Sequence, residues 1–137
     1  MTPGMRKQEL ARGPRGRIVV ADSITMVAAE DAGTIVISGS HGGVSSGAYA
    51  LAVPLRLAVF NDAGIGKDGA GIAALAMLQA QGRAAAAVSH DSARIGDALD
   101  TWEHGVVSRL NDAAQALGLR VGDALRVALP ALIEAGE

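Results

Sequence analysis

Apolar residues gather in four short runs along this chain, at positions 17–21, 34–37, 55–60 and 84–88. Runs of this length, bounded by glycine, proline or polar clusters, have the dimensions of buried strands. The segments between them carry helix signals. Asp22 and Ser23 are a helix cap before a turn or short helix over 24–31, and Gly33 ends it. A short helix is expected over 45–52, stopped by Pro54. A third, over 68–81, places Ile72, Leu75, Ala76 and Leu78 on adjoining faces, with Gly82 as its C-terminal cap. The run 84–88 is mostly alanine, which by propensity favours helix; its place in the alternation makes it the fourth strand.

Beyond Arg94 the pattern turns helical: 97–103, then 106–117, then 123–135 with Pro130 kinking or splitting it. In 106–117, Val107, Leu110, Ala113, Ala114 and Leu117 recur at helical spacing. The succession β-α-β-α-β-α-β-α predicts a single three-layer α/β domain over 17–137. Its sheet is expected to be four-stranded and mainly parallel, with right-handed crossovers. Residues 1–16 interleave Pro3, Gly4, Gly13, Pro14 and Gly16 with Arg6, Lys7, Arg12 and Arg15, and read as a flexible basic lead-in.

Composition narrows the function. The 137 residues are half apolar, enough for one domain with a buried core. Phe60, Tyr49 and Trp102 are the only aromatic residues, so the core must be built from small side chains; that modest apolar area favours a homo-oligomer. Net charge is −2, with no basic field and no aromatic platform, which argues against nucleic acid as a partner. Cysteine is absent, which removes disulfide, thiolate and Cys-metal chemistry. No apolar stretch approaches the ~20 residues of a membrane span, and the N-terminus lacks a signal-peptide core, so a cytoplasmic protein without a membrane partner is expected.

Three polar, glycine-punctuated clusters follow the last three strands: Ser38-Gly39-Ser40-His41-Gly42-Gly43, Asn61-Asp62-Ala63-Gly64-Ile65-Gly66-Lys67-Asp68, and Ser89-His90-Asp91-Ser92-Ala93-Arg94. Parallel strands would bring all three to the carboxyl edge of the sheet, where open α/β sheets bind ligands. In the first cluster, Gly42 and Gly43 let backbone amides approach a ligand before a helix N-terminus, with Ser40 beside them. His41 and His90 are the candidate acid/base groups, because imidazole titrates near neutrality. Lys67 and Asp62 complete the catalytic candidates, and Asn61, Gly64, Gly66, Ser89, Ser92 and Arg94 are candidate substrate contacts. Arg94 could grip a carboxylate or phosphate through two hydrogen bonds. The bland alternative is a helix cap at Asp91 or Ser92 with Arg94 paired to Asp97.

Several formal motif matches fail on context. Gly43-Val44-Ser45-Ser46-Gly47 fits a nucleophile elbow, but five residues separate it from its strand. Gly64-Ile65-Gly66-Lys67-Asp68-Gly69 fits a dinucleotide fingerprint, yet Asn61-Asp62-Ala63 intervene and Asp62 and Asp68 would repel a pyrophosphate. A P-loop lacks its first glycine and its Ser or Thr. His41, His90 and Asp62 could in principle make a two-His, one-carboxylate site, but no close-spaced ligand pair on a helix supports it. Neither a metal nor a dinucleotide is therefore predicted. The expectation is a small-molecule enzyme acting on an anionic, carboxylate-type substrate by hydrolysis, lyase or isomerase chemistry. The alternative is a non-catalytic nucleotide- or carboxylate-binding module, or a partner-dependent regulatory subunit.

Overall fold

A computed structural model describes residues 5–134. One mixed sheet of six strands runs through it in strictly sequential order: β1 (Lys7–Gly13), β2 (Gly16–Ala21), β3 (Ile35–His41), β4 (Leu57–Asn61), β5 (Ala85–Val88) and β6 (Val107–Leu110). Strands β2 to β5 pair in parallel. Strands β1 and β6 add antiparallel edges. The expected four-stranded, mainly parallel sheet is thus the centre of a wider mixed one.

Two of the differences have clear causes. Residues 7–13, expected to belong to a lead-in, form β1 because the turn at Pro14-Arg15 folds the chain back in register, Gly13 opposite Gly16. Their charges are spent across the sheet: Lys7 pairs with buried Asp31 at 2.8 Å, and Glu9 binds both Arg12 and Arg17. Pro3 and Gly4 lie outside the described residues. The second difference is 106–117, which is not one helix. Val107–Leu110 is β6, and only Asp112–Ala116 is helical (α4). The open edge of β5 offers backbone pairing that outranks local helical spacing. Asn111 fixes the change of element. Its buried side chain accepts from the amides of Ala85 and Ala114 and donates to the carbonyls of Leu75 and Arg83.

The other helices are α1 (Val44–Leu51), α2 (Ala73–Gln79), α3 (Ala98–His104), α5 (Leu125–Ala128) and α6 (Pro130–Ile133). Pro130 opens α6 and splits the predicted last helix, whose final position, Ala135, lies outside the described residues. Strand residues alternate between two apolar layers. Ile35, Ile37, Leu57, Val59, Ala86 and Val88 face Ala98, Ala114, Leu125 and Leu129. Val36, Ala58, Phe60, Ala85 and Ala87 face Ala50, Ala74, Leu75 and Leu78. Helices α1 and α2 thus cover one face and α3 to α6 the other, and the connections change face after β5. Among the described residues no helix is long and apolar enough to cross a membrane.

Candidate functional site

The three clusters do lie at the carboxyl ends of β3, β4 and β5, and what each residue does there can be read from its bonds. At the end of β3 most of the polar groups are used internally. Ser40 Oγ accepts from the amide of Ile24 at 2.9 Å. Gly39 sits where two other loops cross: a Cβ there would lie 2.7 Å from Asp22 O and from Asp97 N. Gly42 donates to the carbonyls of Asn61 and Gly71. Gly43 precedes α1, and the His41 ring lies so close over it that a Cβ would meet its Cε1 at 2.7 Å. These glycines bring backbone and ring together. His41 itself is exposed, and it lines a shallow depression of ≈ 240 Å³ with Ala63, Ile65, Gly66, Ala70 and Gly71.

The loop after β4 is the unusual element. Ala63, Gly64, Ile65, Gly66, Asp68 and Gly69 all have positive φ, between 51° and 73°. Three of these are not glycine, and each left-handed L-residue costs about 1–2 kcal/mol. Isoleucine at φ 70° is the least expected of them. The loop is held by Asn61, expected as a substrate contact, and by Asp62, expected as a catalytic group. Buried Asn61 accepts from the Ala63 amide through Oδ1 and donates from Nδ2 to the Ala93 carbonyl. Asp62 accepts from the Gly64 amide through Oδ1 and from the Ile65 amide through its own carbonyl. Gly71 closes the loop by donating to the Ile65 carbonyl at 2.6 Å. Among the described residues the amides of Gly66, Lys67 and Asp68 have no hydrogen-bond partner, and the exposed Lys67 ammonium makes no ion pair. Backbone held this far from its preferred conformation is characteristic of ligand-handling loops.

Asp62 also joins this loop to the next two strands. It is 4% exposed. Its Oδ2 accepts from Ser108 Oγ at 2.6 Å, and its Oδ1 accepts from the His90 amide at 3.1 Å. His90 Nδ1 stands 3.4 Å from the same Oδ1. Burial pushes the Asp62 carboxyl upward, but the Ser108 hydroxyl, the Gly64 and His90 amides and the His90 ring together hold it below the usual aspartate value. The group is therefore an anion at neutral pH. The His90 ring is half exposed, rests over Gly64 and has the exposed Asp91 3.3 Å from Nε2. The strained loop accordingly runs between two histidines: Ala63, Ile65 and Gly66 line one depression with His41, and Gly64 lies beneath the His90 ring.

Not every candidate joins them. Ser89 and Ser92 bond to each other within one turn, and Ser92 Oγ also accepts from Val106 N. Arg94 pairs with Asp97 at 3.8 Å and lines a different cleft, with Arg6, Asp22, Asp100 and Glu103. The cap of α3 is Asp97, not Asp91 or Ser92. Ser108 was absent from the sequence reading because it fell inside the expected helix 106–117; the β-branched pair Val106-Val107 after Gly105 was the available hint. Among the described residues no group of three or more His, Asp or Glu side chains is placed to hold a metal ion. No protein-family model, curated protein or solved structure matches this chain.

Proposed function

We propose that this protein is an acid–base enzyme acting on a small anionic molecule at the carboxyl edge of β3, β4 and β5. The observation that carries the reading is the pairing of exposed His90 with buried, ionised Asp62. A carboxylate beside Nδ1 orients the imidazole, which leaves Nε2 to exchange a proton with substrate. Substrate would displace the Asp91 carboxylate from its exposed position beside Nε2. The free amides at 66–68 and the Lys67 ammonium are suited to negative charge that grows in a transition state. His41, across the loop, is the second proton-transfer group. With no leaving group or carbonyl fixed by the site itself, hydrolysis, elimination and isomerisation of carboxylates all share this requirement.

The test is a screen of small carboxylate esters, hydroxy acids and keto acids with the parent protein, followed by His41→Gln and His90→Gln on whichever substrate turns over. Loss of general acid–base catalysis lowers kcat by roughly 10²–10⁴-fold. Turnover by both variants at the parent rate would sink the assignment, as would tight binding of a carboxylate that is recovered unchanged, which points to a binding module.

A further inference from the structure

The opposite edge of the sheet carries a second constellation. Arg15 stands just before β2 and Arg56 just before β4, at the amino ends of those strands. The five residues of β4 put this edge about 17 Å from the loop after it. Arg56 Nη1 donates to the Arg15 carbonyl at 3.1 Å and to the Leu132 carbonyl, which anchors the end of α6. Its Nε and Nη2, and the whole Arg15 guanidinium, have no hydrogen-bond partner among the described residues. Neither arginine forms an ion pair among those residues either. Burial first, and the neighbouring Arg15 charge second, pull the Arg56 pKa below the ordinary arginine value. The charge of exposed Arg15 beside partly buried Arg56 is unfavourable, and an anion between the two removes that penalty.

Beside the pair opens a cavity of ≈ 510 Å³ whose other walls include Leu117, Leu119, Ala128 and Leu132. That is within the ~300–1,000 Å³ span of small-molecule sites. We propose that Arg15, Arg56 and this cavity bind an amphipathic carboxylate, its head held by the two guanidiniums and its aliphatic body laid on the leucine and alanine wall. The planar guanidinium fork fits a carboxylate in two-point contact. A bare anion would satisfy the arginines and leave the apolar wall wet, so the wall argues for a ligand with a hydrocarbon body.

The experiment is an amide-shift NMR titration of the intact protein at low ionic strength with octanoate and, separately, acetate. Saturable, single-site shifts at Leu117, Leu119 and Leu132 are expected with octanoate, and acetate is expected to bind at least about tenfold more weakly, since each buried methylene contributes ~0.8 kcal/mol. Arg15→Gln is the decisive variant. The Arg15 side chain is exposed and makes no hydrogen bond among the described residues, whereas Arg56→Gln would also release α6. Arg15→Gln should weaken octanoate by about tenfold, the loss expected for one charge-assisted contact. Equal affinity for acetate and octanoate, non-saturating shifts spread over the surface, or unchanged octanoate affinity in Arg15→Gln would each overturn the proposal. None of these outcomes bears on His90 and Asp62.

Discussion

Replacing Asp62 with asparagine tests whether the carboxylate is held as an anion or only tolerated in a buried place. The substitution keeps the shape. Asn Oδ1 can still accept from the Gly64 and His90 amides, which bond the same oxygen in the parent at 2.8 and 3.1 Å. The second oxygen becomes an NH2 facing Ser108 Oγ, and the hydroxyl can turn to accept. The loss is therefore the difference between charge-assisted bonds, about 1.5–3 kcal/mol each, and neutral ones near 1 kcal/mol. Over three bonds that is about 1.5–6 kcal/mol, partly offset by the burial penalty that asparagine escapes, so a net destabilisation of about 1–2 kcal/mol at neutral pH, or roughly 3–8 °C in Tm for a domain of this size, is expected. The pH dependence gives the sharper result. The folded-state pKa of Asp62 is depressed, so its contribution is full above the unfolded value of about 3.9 and is lost as pH falls through the folded value. The gap between parent and Asp62→Asn should be widest near about pH 7 and close below about pH 4. Urea unfolding followed by the fluorescence of Trp102, the single tryptophan, measures that gap at each pH. A gap that stays constant with pH, or widens in acid, would show that burial rather than hydrogen bonding governs Asp62 and would remove the ionised partner from behind His90.

Two further substitutions probe the surrounding frame. Ala63→Gly should stabilise the fold by about 0.5–1 kcal/mol, because relief of about 1–2 kcal/mol of left-handed strain exceeds the added flexibility of the unfolded chain; a lower Tm than the parent would contradict the conformation described for this loop. Asn111→Ala should destabilise by on the order of 3–4 kcal/mol, since two buried amides and two carbonyls lose their side-chain partners. A shift in urea midpoint worth less than about 1 kcal/mol would show those groups re-paired without it.

The four central strands and the place of the three clusters were legible in the sequence, because buried parallel strands read as unbroken apolar runs. Even the alanine run 84–88 was recoverable, from its position between two helix signals. The edges were not, since β1 and β6 carry no such run. Three of the seven residues of Lys7–Gly13 are charged, and its pairing depends on Asp31 and Glu9, whose role appears only once the hairpin forms. In β6 the strand is chosen by the free edge of β5, a partner distant in sequence. Within the site, the residue types gave the neighbourhood but not the division of labour. Asn61 and Asp62 are adjacent in sequence and similar in chemistry. Asn61 is used up pinning the loop, whereas Asp62 also reaches His90 and Ser108. That difference is set by strand register and by β6, neither of which one sequence displays.

Strand order in this sheet is also the order of synthesis. As the chain emerges, each new strand finds its neighbour already made, so the sheet can grow at one edge without reopening. The Asp62–His90 pair follows a different timetable. Asp62 and His90 are both in place once β5 has been laid down, yet the hydroxyl that binds the second carboxylate oxygen arrives 46 residues after Asp62, on the last strand. A chain ending before β6 would leave Asp62 Oδ2 without its Ser108 partner while Oδ1 kept the Gly64 and His90 amides. Completion of the sheet therefore adds the last hydrogen bond to the carboxylate that stands beside His90.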